Sequence, residues 1–361
     1  MSQEVSTAGI SVDELRLAGR NHSLPLEALR HDVTPPGLHY LLIHFDIPEV
    51  DAESFRLTVD GAVRRPLSLA LDDLRARPAV THAVTLECAG NGRAHLSPRP
   101  VSQPWLDEAV GTSEWTGTPL AAVLQEAGIA DSAVEVLLAG ADHGVQGGVP
   151  QQYERSLPLD EALRPEVLLV WAMNGRPLLP QHGFPLRAIV PAWYGMTHVK
   201  WLERITLLEE PFTGYQMVSS YRVTMDEDDL GTPVTRMLPR SLMIPPGIPD
   251  FASRTRFLRP SRCELRGRAW SGHGAVVRVE VSTDGGSTWA DAELLPPVGP
   301  HAWRAWRSRW DASEPGEHEL CSRATDASGN VQPLEPSWNL QGMSSNAVQR
   351  VRVVVDAGAS G

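Results

Sequence analysis

Cysteine is scarce in this chain: Cys88, Cys263 and Cys321 are the only three among 361 residues. A sparse, odd count argues against a disulfide framework and fits a reducing compartment. There is no CxxC pair, no CxxCH and no cysteine-rich cluster, so neither c-type haem nor an iron–sulfur cluster is expected here. No run is long and apolar enough to span a bilayer. The opening stretch, MSQEVSTAGISVDELRLAGRNHS, has no basic start followed by an apolar core and no twin-Arg pair. A cytoplasmic protein without membrane contact is therefore expected. Positive charge is in deficit: Lys plus Arg total 32 against 44 Asp plus Glu, a formal charge of -12. That excludes a global basic field for nucleic acid. An acidic protein that handles an anion has to concentrate its cations locally, so clustered Arg, Lys and His matter more than the total.

What is present reads as an ordinary globular chain, 42% hydrophobic and 21% charged. Its length suggests two domains, at ~100–200 residues each. Residues 1–34 read as a polar lead-in with a short helix at SVDELRLAG. Between 35 and 212, strand-like runs such as HYLLIHFDI, AVTHAVTLEC and AVEVLLAGAD alternate with helical spacing at SLALDDLRAR and TPLAAVLQEAG. This is an α+β pattern. Residues 213–254 are irregular and rich in Pro and charge, which suggests a connector over the surface. From 255 to 356 the pattern is all-β, with turns at DGG, EPGEH and DASGN, and predicts an immunoglobulin-like β-sandwich before a short tail at 357–361.

Cys88 ends an apolar strand and opens the Gly-rich loop AGNGR. Strand-end loops present reactive groups on a rigid scaffold. Glycine lets backbone approach a ligand, and Arg93 would favour a thiolate. Soft thiolates suit soft or high-valent metals. By itself the residue is more often a small buried hydrophobe, and spacing does not overturn that. Cys263 and Cys321 fall on sandwich strands and are expected to be buried thiols.

Three ordered segments carry a resemblance. ECAGNGR resembles the cysteine-bearing CAGNRR-type segment of the sulfite oxidase family of molybdopterin-dependent oxidoreductases. MNGRPLLPQHGFPLRAIVPAWYGMTHVKWLERI resembles that family's second hallmark block. AWSGHGAVVRVEVSTDGGSTW, NVQP and SNAVQRV resemble its C-terminal dimerisation domain. Ordered motifs are more specific than any one alone. The resemblance implies a molybdenum–molybdopterin cofactor without haem, with Cys88 as the metal's protein ligand. It implies that His44, Asn91, Asp142, His182, Arg187 and the His198–Val199–Lys200 segment hold the cofactor. It places Arg93, Trp105, Tyr153 and Tyr221 around the substrate. The expected function is oxygen-atom transfer, oxidising sulfite to sulfate in a homodimer and passing electrons to an external acceptor, a cytochrome or other. The expected substrate is small and anionic or sulfur-containing.

Two positions depart from the pattern. The family's RNH motif reads Leu42, Ile43, His44, so an anion-binding Arg is replaced by Leu. Its WSGGGR turn reads WSGHGA, without the Arg and with His273 nearby. Arg155, Arg222 or His273 would have to compensate. A small dianion needs charge-assisted donors worth ~1.5–3 kcal/mol each. Reduction of a sulfoxide or N-oxide, or oxidation of another sulfur compound, therefore stands as the alternative. A non-catalytic cofactor-binding or interaction protein on the same scaffold is the remote one.

Overall fold

A computed structural model describes residues 5–6, 9–356 and 358; the tail at 357–361 lies almost wholly outside the described residues. The first domain is built on two five-stranded sheets. One runs in the order Leu67–Ala70, Arg56–Gly61, Leu202–Leu208, Glu135–Gln146, Val149–Pro158, antiparallel except where Leu202–Leu208 pairs parallel with Arg56–Gly61. The other runs Arg176–Pro177, Leu168–Met173, Val110–Pro119, Val80–Glu87, with Arg187–Ile189 also paired to Leu168–Met173. Period-2 burial explains the strand Arg56–Gly61. Leu57 and Val59 are buried on one face of Arg56–Gly61, while Arg56 and Thr58 point away. The helix Leu120–Ala127 buries Leu120, Val123, Leu124 and Ala127 at helical spacing and stops at Gly128, whose φ is +73°. These side chains share one core with Val136, Leu138, Leu169 and Ile205.

The second domain is a sandwich of a four-stranded sheet, Arg240–Met243, Ser261–Trp270, Arg304–Ala312 and Glu293–Leu294, and a six-stranded one centred on Val351–Val355, Gly316–Asp326 and Val276–Ser282. Trp306, Trp310, Leu265, Val279, Leu320 and Val353 fill the space between them. The three cysteines are free thiols; Cys321 is buried but Cys263 is only half-buried, because it sits near the start of its strand.

Three expectations change here. The connector is not confined to the surface: Arg240–Met243 is a fully buried strand of the sandwich, and Val234 and Met237 are buried too. The lead-in, read as polar, also supplies apolar side chains to the interior. Leu24, Ala28 and Leu29 enter a core that also holds Ala89, Met237, Leu242, Trp270 and Trp303, and so seals the junction of the two domains. HYLLIHFDI forms no regular strand, and among the described residues its one ladder contact is an isolated bridge between Leu41 and His22. Its groups are used otherwise: the Leu42 carbonyl accepts from Lys200 and the Ile43 N–H donates to Asn21.

Candidate active site

Cys88 leaves the strand Val80–Glu87 at the point where that strand reaches the domain junction. Its N–H donates to Ala109 O (2.9 Å) and its carbonyl accepts from Asn91 N (3.0 Å), which closes the loop. Glu87, directly before it, accepts from Asn91 Nδ2 at 3.0 Å and Trp270 Nε1 at 2.8 Å. Arg240 Nε lies 3.0 Å from the same carboxylate as an ion pair, although its N–H is not aligned for a hydrogen bond. The second domain therefore clamps the cysteine loop from behind.

Two cavities meet at Cys88, sharing Leu42, His44, Cys88 and Tyr221 in their walls. The inner one is also lined by Asp142, Tyr153, His182, Arg187, His198 and Lys200. Arg187 donates to His182 O (2.9 Å) and His198 O (3.2 Å), lies over the Trp115 ring and leaves its buried Nε without a partner. Lys200, the only lysine in the chain, donates to Leu42 O (2.8 Å) and Gln181 O (3.2 Å). Burial and then the Arg187 charge push its pKa down to about 7. Burial, with His39, Arg187 and Lys200 adding to it, pushes His182 down to about 2. Arg187 itself falls to about 10 through burial. Asp142 is the one carboxylate lining the inner cavity, and burial raises it to about 6 despite Lys200. Cationic groups thus crowd together short of counter-charge, the condition that a bound polyanion relieves.

The remaining expected cofactor contacts are placed as follows. His44 Nε2 meets Gln146 Oε1 at 2.6 Å. The His198 ring accepts from Val190 N at Nδ1 and faces Trp193 O at Nε2, so both nitrogens are committed to backbone. Val199 is buried and lines neither cavity. Asn91 also lines neither: its amide donates to Glu87 and Asp107 O and accepts from Ala109 N, which makes it a brace for the loop.

The outer cavity, about 290 Å³, is lined by Arg93, Trp105 and Tyr221 together with Gly90, Ser102, Gln103 and Met343. Arg93 donates to Gln341 O (3.1 Å), Gln103 O (3.5 Å) and Met343 Sδ (3.4 Å). Gly90 and Gly342 make room for it: a Cβ on either would come within 2.7 Å of the Arg93 side chain. Burial raises the Cys88 thiol, while the Gly90 N–H, the Arg93 charge and the Trp105 indole pull it down. The Trp105 N–H stops short of hydrogen-bond geometry and is buried without a partner. Tyr221 is held at φ +57°, a left-handed conformation costly for a bulky residue, and Arg155 lies against its ring. The Tyr153 hydroxyl donates to Met196 O at 2.8 Å from the inner side.

Sequence reasoning missed Gln341 and Met343, the first holding Arg93 through its carbonyl and the second lining the outer cavity, and also the lining residues Ser102, Gln103, Leu17 and Arg20, the last two from the lead-in. A signal existed for the first pair. The stretch between the strands Gly316–Asp326 and Val351–Val355 is too long for a plain sandwich turn, and such loops are commonly functional. The WSGHGA turn, by contrast, lines a separate cavity with Arg236 and His301, and His273 is exposed there. The Arg missing from that turn therefore bears on neither cavity at Cys88. Arg155 and Arg222 do not line the outer cavity; Arg155 donates to Gln216 O, and Arg222 to Met217, Leu230 and Gly231 carbonyls.

Among the described residues no three His, Cys, Asp or Glu side chains converge as a metal cage. Cys88 fits one ligand of a metal whose other ligands belong to an organic cofactor, and the cation-lined inner cavity fits that cofactor's phosphate. This arrangement is that of a molybdopterin-dependent oxidoreductase. Residues 44–216 match the oxidoreductase molybdopterin binding domain, and residues 254–356 match the Mo-co oxidoreductase dimerisation domain, which supports a homodimer. Sulfite oxidase of Gallus gallus is 37% identical over 343 residues, covering 88% of this chain and 72% of that protein. Mitochondrial sulfite oxidase of Mus musculus is 37% identical over 345 residues, covering 90% of this chain, which spans only 62% of that relative's length. Nitrate reductase [NADH] 1 of Oryza sativa subsp. japonica is 33% identical over 374 residues, covering 94% of this chain and 41% of that protein. The solved structure of sulfane dehydrogenase SoxCD from Paracoccus pantotrophus superposes with a TM-score of 0.80 at 25% identity, covering 98% of this chain and 90% of that one. The chain belongs to the sulfite oxidase family. No helix among the described residues is long and apolar enough to cross a membrane.

The single lysine allows a direct test of the inner cavity. Near pH 7 a large share of Lys200 is the neutral, nucleophilic amine. Protein from a host unable to make the cofactor should be acylated at Lys200 by an amine-reactive ester at pH 7, and cofactor-loaded protein should be protected. Equal labelling of both forms, read by peptide mass spectrometry, would remove Lys200 from the cofactor site.

Proposed function

We propose that the enzyme oxidises sulfite to sulfate and passes the electrons to an external acceptor. One observation carries this reading: a buried Arg93 shares a small cavity with Cys88, Trp105 and Tyr221. The bound molybdenum cofactor would supply the oxygen-atom transfer and the redox change. The chain's own part is orientation and charge. Three of the five guanidinium N–H groups of Arg93 are committed to the chain, which leaves two for an oxyanion. The unpaired Trp105 N–H and the Tyr221 hydroxyl offer further donors at the same cavity. The strained backbone of Tyr221 fixes its ring there before substrate arrives, so little reorganisation accompanies binding. The test is sulfite-dependent reduction of a one-electron dye by purified, molybdenum-loaded protein. Metal-replete protein that ignores sulfite would overturn the assignment.

A second reading rests on Leu42, whose side chain adds an apolar surface to both cavities where the family pattern has Arg. A less charged sulfur compound would suit that wall, as oxidant of reduced viologen if it is a sulfoxide or as reductant if it is a thioether. Leu42→Arg separates the readings. Under the first, the added donor lowers the sulfite KM by about tenfold with kcat little changed, the low end for a charge-assisted bond on a half-buried group. If sulfoxide turnover is the native activity, the same substitution depresses it and leaves sulfite unused.

A further inference from the structure

Among the described residues, the outer cavity is lined by two arginines and no carboxylate, in a protein with twelve more acidic than basic side chains. Arg93 forms its floor. The second cation, Arg20, comes from the N-terminal segment at the rim. Its guanidinium donates to His44 O (3.0 Å) and Phe45 O (3.3 Å), is solvent-exposed, and is paired with no carboxylate among the described residues.

The segment that carries Arg20 is built to stay in place. The helix Val12–Ala18 starts at a reciprocal cap between Ser11 and Glu14. Glu14 is fully buried and takes a two-pronged ion pair from Arg99, with both contacts at 2.9 Å. Asn21 ties three pieces together: its amide nitrogen donates to Leu17 O and to Gln103 Oε1, both at 3.0 Å, and its oxygen accepts from Ile43 N at 2.7 Å. His22 bridges to Leu41, and Leu24 N donates to Glu108 O. The segment is therefore fastened to both chain stretches that wall the cavity, 42–45 and 102–105, with Leu17 and Arg20 among the lining residues.

We propose that residues 11–24 form the outer wall of the substrate cavity, and that Arg20 is a specificity-determining residue that captures the anionic substrate where Leu42 supplies no charge. Its role is binding, with Arg93 and the residues around Cys88 left to orient the reacting group. The inference rests on the proposed action on a small oxyanion, and the test separates the two.

Molybdenum-loaded Arg20→Ala, Arg20→Lys and Arg16→Ala are compared with the parent protein by sulfite kinetics and by calorimetric titration with sulfate as a non-reacting probe. Arg16 lies in the same segment, on the helix Val12–Ala18, but is exposed, pairs with Asp13 and lines neither cavity, so its removal reports only the change in net charge. Arg20→Ala should raise the sulfite KM and weaken sulfate binding by about tenfold each, with kcat within about twofold, the size of one solvent-accessible charge-assisted contact. Arg20→Lys should recover part of both effects and Arg16→Ala should show neither. Unchanged KM and sulfate affinity in Arg20→Ala, or an equal effect in Arg16→Ala, would overturn the role of Arg20. If the parent fails to oxidise sulfite, the proposed function falls, and the sulfate titration alone decides Arg20: a tenfold weakening supports it, and no difference or no binding to the parent refutes it.

Discussion

Cys88→Ser should retain the fold and lose molybdenum-dependent turnover by roughly three orders of magnitude, about 4 kcal/mol of barrier. The substitution changes one atom. The backbone bonds of the loop to Ala109 and Asn91 do not involve the sulfur, and the Glu87–Asn91–Trp270 brace remains whole. A serine hydroxyl has the space of the thiol without its softness or acidity, so it is a poor ligand for a metal that selects thiolate. The inner cavity, with Lys200, Arg187 and His182, would still hold the organic part of the cofactor. The measurement is threefold: metal content, the visible absorption of the oxidised protein, and dye-coupled turnover. Loss of the thiolate absorption with organic cofactor retained is the expected pattern. Full turnover in the variant would remove Cys88 from the metal.

The reason for the thiol's position was legible only in part. The end of an apolar strand, the Gly-rich turn and Arg93 could be read directly from the sequence around ECAGNGR, because the strand closes on a continuous buried run, Val84–Glu87, and the turn has its glycines. The residues that hold that loop could not. Glu87 looks like any polar strand terminus, and Trp270 and Arg240 lie far away in sequence. Their convergence depends on how the two domains pack, and no local pattern encodes that. HYLLIHFDI failed as a strand for a related reason. Its apolar content reads as β, but its carbonyls and N–H groups are taken by Lys200, Asn21 and Arg20 instead of a neighbouring strand. The anchoring of the lead-in was not legible because a seven-residue helix with exposed charges carries no local sign of what it packs against. The burial of Glu14 against Arg99, the bonds of Asn21 and the buried Leu24 and Leu29 show that it is anchored. The WSGHGA turn misled in the opposite direction: a motif difference drew attention to His273, while the second domain contributes Met343 to the cavity wall and the Gln341 carbonyl that holds Arg93.

Arg240→Ala should be the most destabilising single substitution near the site. Arg240 is 1% exposed and pairs with two carboxylates, Glu87 at 3.0 Å and Asp107 at 3.2 Å. It also donates to the carbonyls of Asn91 and Ser345, and so joins the sandwich to the cysteine loop and to the segment carrying Met343. Its removal leaves buried carboxylates facing each other without their shared cation, the situation in which breaking a buried pair costs ~3–5 kcal/mol. For a protein of this size that corresponds to a fall in Tm of roughly 5 °C. The loss should also depend on pH. Burial already raises the Glu87 carboxyl above its ordinary range, opposed chiefly by Arg240 and then by bonds from Trp270 and Asn91, while Asp107 pushes it further up. Asp107 itself stays depressed through His95 as well as Arg240. Without Arg240 the Glu87 pKa rises more. A carboxyl whose folded pKa lies above its unfolded value binds more protons when folded, so stability falls as pH rises from the unfolded value through the folded one. The gap between the variant and the parent should therefore be smaller near pH 5 than at pH 8. Arg240→Lys keeps a cation but not the fork that reaches both carboxylates, and should fall between the two. Denaturant unfolding of all three at both pH values is the check, and an Arg240→Ala variant as stable as the parent would show that the network beneath Cys88 does not hold the domains together.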